Sequence, residues 1–300
     1  MKISLKYQKN NDKLINLPFF VFRKKNLNTK NKFGKISFLI SSYIITFCFK
    51  FFNEKKLCRL MNLFYGKDGE VSYSKEIELY SKKYKNDLIY FPNKYRLSGS
   101  MVNHKLEMHN LLNSYCLDDF EIEPGDTVLD CGANIGAFLM ALNEFEKDIN
   151  YIAFEPDANI YECLKLNTKN SHNVKLYNFG LSNLSSKNTN FYIDSDHGDS
   201  SLEKFNSNSE IKIETKTLDE LKIKKIKLLK IDAEGHELEV LLGSKKTLKE
   251  IEYITIDVGE ESKLNKITLP KVNNFLLKNK FELIDFNKER ITGLYKNTAI

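Results

Sequence analysis

Residues 127–136 read Thr127-Val128-Leu129-Asp130-Cys131-Gly132-Ala133-Asn134-Ile135-Gly136, a short apolar run that breaks into a glycine-punctuated turn. Ala137 to Phe145 follow at helical spacing, so the stretch reads as strand, tight turn, helix. Glycines in such a turn let backbone come close to a ligand, and the helix start offers free N–H groups. The spacing is Gly-x-Asn-x-Gly and lacks the Gly-x-Gly-x-x-Gly of pyrophosphate binders. Asn134 can replace a middle glycine because Asn tolerates left-handed backbone. A loop with fewer glycines suits a ligand without a pyrophosphate.

Working outward, short apolar runs alternate with helical stretches. Strands are expected at 127–131, 151–155, 174–179, 227–232 and 253–258, with helices at 106–117, 137–145, 159–167 and 237–242. Strands alternating with helices imply crossover connections and a mainly parallel sheet covered on both faces. Residues 281–286 and 291–296, around a polar turn, read as an antiparallel hairpin that finishes the sheet. The second strand ends in Glu155-Pro156, 25 residues after Asp130. That is near the offset of about 20 at which an acid at the next strand end accepts ribose hydroxyls.

The 300 residues exceed one minimal domain, and 42% apolar with 29% charged residues build a sizeable core. Glycine and proline are scarce, 13 and 5, which excludes collagen-like and linker-like chains. Five cysteines without a CxxC pair give neither a disulfide framework nor a zinc spacing, and reduced thiols in a cytoplasmic protein are expected. The net charge of +6 hides a division. Residues 1–60 carry 14 Lys or Arg against two acids, net +12, and the remaining 240 are net −6. The first stretch also holds apolar runs at 14–22 and 36–49. The second is too short for the roughly 20 residues of a membrane span. It fits a helix packed on the main domain or a dimer partner, a peripheral contact with the cytoplasmic face of a membrane through lysines and phenylalanines, or a marginal span. Residues 1–100 are therefore expected to be a basic, apolar, helical extension, and 101–300 the α/β domain.

Five stretches occur in order: Val128 to Gly136; Phe154-Glu155-Pro156; Gly180-Leu181-Ser182-Asn183; Asp199-Ser200-Ser201-Leu202; and Lys230-Ile231-Asp232-Ala233-Glu234-Gly235-His236-Glu237. Together they resemble the FkbM family of S-adenosylmethionine-dependent methyltransferases, from about Asp126 to about Asp285. The resemblance implies a Rossmann-like class I methyltransferase sheet and S-adenosyl-L-methionine as cofactor. It further implies that Asp130, Gly132, Asn134 and Gly136 surround the methionine part, that Glu155 holds the ribose hydroxyls, and that Leu181-Ser182 lies along the adenine. Asp232 would stand at the C-terminal edge of the sheet, where substrates bind in open α/β folds. Where the family usually has Glu, this chain has Asp257.

The chemistry asked of that edge is alignment of an oxygen nucleophile with the methyl group and acceptance of its proton. Asp232, with His236 second and Glu234 third, are the candidate catalytic residues. Glu234 and Glu237 could equally cap the helix after Gly235. Asp194/Asp196/Asp199 and Asp232/Glu234/Asp257 are carboxylate sets that could hold a cation, but neither has a standard spacing, so no metal is expected. The expected reaction is O-methylation of a sugar or glycan-precursor hydroxyl, with a small-molecule or glycan acceptor and no nucleic-acid partner. Three rivals stand beside it: a nicotinamide-dependent dehydrogenase, a nucleic-acid methyltransferase gripping its substrate with the basic arm, and a non-catalytic Rossmann-fold scaffold.

Overall fold

A computed structural model describes residues 43–44, 47–65, 69–84, 87–99, 104–144, 148–193, 200–203, 209–261 and 266–300. The apolar run at 14–22, most of the basic arm, and Asp194, Asp196, His197 and Asp199 lie outside them. The chain divides into two compact units, Met1–His104 and Lys105–Ile300.

In the first unit, the described residues at 43–44 and 47–51 are helical. Lys94 Nζ donates to the carbonyl of Phe49 at 2.5 Å and to Asn53 Oδ1 at 2.7 Å. That places a cation where a helix C-terminus exposes its carbonyls. Then come α1 (Glu54–Tyr65), β1 (Val71–Ser74), β2 (Leu79–Tyr84), β3 (Asp87–Phe91) and α2 (Lys94–Gly99). The three strands form an antiparallel sheet in the order β1-β2-β3. The extension is thus not helical throughout, as expected from its apolar runs. A period-two pattern, with Val71 buried and Ser72 exposed, makes strands that the search for helical runs passes over.

The second unit runs α3 (His104–Ser114), β4 (Thr127–Cys131), α4 (Ala137–Leu142), β5 (Asn150–Phe154), α5 (Ala158–Thr168), β6 (Val174–Tyr177), β7 (Gly180–Leu181), β8 (Ser186–Ile193), β9 (Ser209–Lys216), β10 (Ile226–Ile231), α6 (Glu237–Leu242), β11 (Ile251–Asp257), β12 (Glu260–Glu261), β13 (Lys266–Ile267), α7 (Leu269–Lys278), β14 (Phe281–Asn287) and β15 (Thr292–Asn297). Its main sheet has the order β14-β15-β11-β10-β4-β5-β6. All neighbours from β11 to β6 are parallel, and β15 runs antiparallel to both β11 and β14. The expected mostly parallel sheet with its C-terminal hairpin is present. Central strands such as β4 and β10 are buried almost end to end, which is why they read as mostly apolar runs, broken by Asp130 in β4 and by Lys227 and Lys230 in β10.

The chain leaves β4 in one direction for β5 and β6, then returns to add β10 on the other side. Such a switch of direction opens a crevice at the C-terminal ends of the strands. Two elements were not legible beforehand. The helix-poor insert folds as a separate sheet, β7-β9-β8, and α7 fills the stretch before the hairpin, with Pro270 at its first turn. The five cysteines are buried and unpaired.

Candidate active site

Parallel pairing of β10 with β4 sets Lys230 beside Asp130 and Ile231 beside Cys131. Lys230 Nζ lies 3.0 Å from Asp130 Oδ1 and donates to the carbonyl of Gly132 at 2.8 Å. Asp130 Oδ2 also accepts from the Tyr151 hydroxyl. All three side chains are buried. Burial alone would favour the neutral amine, but Asp130, then Tyr115 and Asp232, push the Lys230 pKa above the usual lysine value. An ion pair this deep needs further hydrogen bonds, and here the Tyr151 hydroxyl serves Asp130 Oδ2 while the Gly132 carbonyl serves Lys230.

The turn after β4 is left-handed at Gly132 (φ 79°), Asn134 (φ 53°) and Gly136 (φ 87°). A Cβ on Gly132 would stand 2.0 Å from the Asp232 carbonyl oxygen, so this loop and the segment after β10 touch backbone to backbone. Glu155, buried at the end of β5, braces the loop. Its Oε2 accepts the Asn134 N–H at 2.8 Å and its Oε1 the Asp157 N–H at 2.9 Å. Each carboxylate oxygen has two lone pairs, so both backbone bonds are compatible with a vicinal diol on the same group.

Asp232 Oδ2 accepts from the Tyr115 hydroxyl at 2.6 Å and from Arg290 Nη2 at 2.8 Å. Arg290 Nε lies 2.9 Å from Asp257 Oδ2, and its guanidinium sits 4.5 Å over the Tyr115 ring. Burial, then the Asp232 charge, raises the Asp257 pKa to about 6. Arg290 thus stands between the two carboxylates that the sequence reading offered as cation ligands. Counting Asp130, Asp232 and Asp257 against Lys230 and Arg290, the cluster carries one net negative charge, which suits a cationic ligand.

His236 answers to other partners. Its Nε2 is 2.9 Å from Ser182 Oγ and its Nδ1 3.2 Å from Glu203 Oε1. Ser182 and His236, expected at the adenine and at the transfer site, therefore meet each other. Leu181 is buried in β7, paired with β9. Glu234 (φ 49°) and Gly235 (φ 95°) make the sharp curl after the strand, and the Glu234 carbonyl accepts from Ser201 Oγ at 2.6 Å. Glu237 Oε1 accepts the Ala233 and Gly235 N–H groups, which fits its capping role.

Sequence reasoning missed Arg290, Tyr115, Lys230 and Glu203. Arg290 and Tyr115 stand 58 and 117 residues from Asp232, and no local pattern links them to it. Lys230 lay inside the recognised signature, but a lysine in a strand carries no sign of its burial. A cavity of about 540 Å³ includes Lys227 and Tyr253, at the starts of β10 and β11. It lies toward the strand ends opposite Asp232 and contains none of the residues above.

The family model described as methyltransferase FkbM domain matches residues 130–283. The hexuronic acid methyltransferase AglP of Haloferax volcanii is 28% identical over 143 residues, covering 46% of this chain. The match takes in 58% of that relative's own length. Among solved structures, methyltransferase FkbM from Methylobacillus flagellatus is similar at 17% identity and TM-score 0.41, over 68% of this chain and 55% of that one. TYW2 from M. jannaschii in complex with AdoMet is similar at 16% identity and TM-score 0.39, over 75% and 89%.

Proposed function

We propose, since this chain belongs to the FkbM family of S-adenosylmethionine-dependent methyltransferases, that it transfers the methyl group of S-adenosylmethionine to a hydroxyl of a sugar or glycan precursor. The observation that carries this reading is the junction of three strand ends. There the left-handed Gly132–Gly136 turn, Glu155, and the Arg290-held Asp232 come together. The cofactor supplies an electrophilic methyl on a sulfonium. Around it, the Gly132–Gly136 turn, anchored by the buried Asp130–Lys230 pair, would hold the methionine part, Glu155 would take the ribose hydroxyls, and Leu181-Ser182 would lie along the adenine. Asp232, fixed by Tyr115 and Arg290, orients the acceptor hydroxyl and takes its proton. Glu234 stands close enough to Arg290 to help raise its pKa, after Asp232, Tyr115 and Asp257. A sugar acceptor is supported by the relative named for a hexuronic acid.

Calorimetry on the full chain tests the cofactor half. S-adenosylhomocysteine is expected to bind and NAD not to bind. Glu155→Gln should weaken that binding by about a hundredfold, because two hydrogen bonds to a charged group contribute about 1.5–3 kcal/mol each and the amide keeps part of them. Unaltered affinity in Glu155→Gln would remove Glu155 from the ribose site.

The first unit supports a place for the reaction. Tyr43, Ile44, Phe47 and Phe51 are exposed, and Phe47 and Phe51 stand four residues apart on one helical side with their rings in contact, while Cys48 and Phe49 are buried. Among the described residues no helix is long and apolar enough to cross a membrane. Exposed aromatics beside a +12 arm fit reversible contact with an anionic bilayer surface on the cytoplasmic side. Sedimentation with anionic vesicles should carry the protein down at low salt, and Phe47→Ser/Phe51→Ser should reduce this. Equal sedimentation with neutral vesicles would remove the anionic surface from the proposal, and none with either would remove the membrane.

A further inference from the structure

His236, Glu203 and Glu239 converge from two segments, and their nearest ligand atoms all lie within 4.8 Å of one another. His236 Nδ1 is 3.2 Å from Glu203 Oε1 and 3.9 Å from Glu239 Oε2. We infer that these three side chains form a binding site for a first-row divalent cation, a site separate from the Asp232–Arg290–Asp257 cluster.

Ser182 Oγ donates to Asn183 Oδ1 at 3.3 Å, so toward His236 it accepts, and Nε2 carries the hydrogen. That tautomer turns the Nδ1 lone pair toward two carboxylates. Three electron-rich atoms facing one another repel unless a positive charge lies among them. A proton on Nδ1 could serve Glu203 at 3.2 Å, but 3.9 Å to Glu239 is beyond hydrogen-bond reach. A cation drawn between them serves all three. At about 2.1 Å from each ligand atom, separations of 3.2 and 3.9 Å correspond to angles of roughly 100° and 135°. The two carboxylates, within 4.8 Å of each other, close to about 4.2 Å or less around the ion.

The outer contacts fit the same reading. A metal-bound imidazole commonly has its second nitrogen hydrogen-bonded, which fixes ring orientation, and Ser182 does this here. Ser201 places Glu203: its Oγ accepts the Glu203 N–H at 3.0 Å and donates to the Glu234 carbonyl at 2.6 Å. Glu239 lies three residues after His236, a spacing that keeps both on one side of the chain as α6 begins. The side chains are 12%, 29% and 28% exposed for His236, Glu203 and Glu239, so solvent can complete the coordination shell. One imidazole nitrogen with two carboxylates favours Mn²⁺, Fe²⁺ or Zn²⁺ over Mg²⁺ and Ca²⁺, which prefer all-oxygen shells. As a ligand, His236 would pin the Ser201–Glu203 segment to α6 and would not serve as the proton acceptor.

The test does not depend on methyl transfer. Full-length protein, stripped with a chelator and desalted, is titrated with Mn²⁺ by electron paramagnetic resonance and with Zn²⁺ by calorimetry. One ion per chain is expected. Glu203→Gln/Glu239→Gln, which keeps side-chain size, should lose at least about tenfold in affinity while its circular dichroism matches the parent. His236→Ala should lose at least as much. No stoichiometric binding of either ion, or equal binding by the double variant, would overturn the site and leave an imidazolium paired with carboxylates. Loss of metal binding with S-adenosylhomocysteine binding intact, or the reverse, separates this inference from the proposed function.

Discussion

Lys230→Met is expected to destabilise the second unit by about 3–5 kcal/mol, the cost of breaking a buried ion pair from one side. Lys230 is 3% exposed and Asp130 fully buried, so no water can replace the lost ammonium. The substitution also strips the Gly132 carbonyl of a donor and loosens the turn that Glu155 braces from the other side. At about 2–4 °C per kcal/mol for a unit of this size, the melting temperature should fall by roughly 10 °C. Asp130→Asn/Lys230→Met should recover part of the loss, because removing both charges leaves no unpaired ion. Thermal denaturation of the single and double variants checks this. A Lys230→Met protein within about 1 kcal/mol of the parent would mean that the pair contributes little, as exposed pairs do.

Asp232→Asn should lower kcat for methyl transfer by about 10²–10⁴-fold, the range for losing a positioned proton acceptor, and leave S-adenosylhomocysteine affinity nearly unchanged. The asparagine keeps an oxygen for Tyr115 and Arg290 but removes the charge. A second readout follows from Asp257, whose pKa is raised to about 6 first by burial and then by Asp232. The sign is fixed: a raised carboxyl pKa means protonation begins at a higher pH. As pH falls through about 6, Asp257 loses its charge and its hold on Arg290, so parent activity should fall on the acid side there. In Asp232→Asn one raising cause is gone, and the residual activity should persist to lower pH. Parent-like kcat in Asp232→Asn would take Asp232 out of the transfer step. An unmoved acid limb would mean that another group titrates.

Much of the second unit was legible because its signals are local. Mostly apolar runs at 127–131 and 227–232 mark strands buried on both faces, and the glycine-punctuated turn after the first and Glu155-Pro156 after the next mark strand ends. The insert was less legible. In β8 the first three residues, Ser186 to Asn188, are exposed and only Phe191 and Tyr192 are buried, so the strand shows no clean alternation. The 36–49 run shows another limit. Its described part exposes Tyr43, Ile44 and Phe47 while burying Cys48 and Phe49, and composition alone does not say which face of an apolar segment is covered.

The sequence by itself determined the α/β class, the glycine-punctuated turn, the acid 25 residues on, and the signature carrying Asp232 and His236. Their separation along the chain is fixed by strand and helix lengths, which local patterning reports. Only the tertiary structure decided who meets whom. Parallel register across β4 and β10 set Lys230 beside Asp130 and made an ordinary-looking lysine the buried counter-ion of the turn. Antiparallel pairing of β15 with β11 set Thr292 opposite Asp257 and brought Arg290 between two aspartates. The curl at Glu234-Gly235 sent His236 to Ser182 and Glu203. These are contacts across tens to more than a hundred residues, chosen by sheet register and burial rather than by any neighbour in sequence.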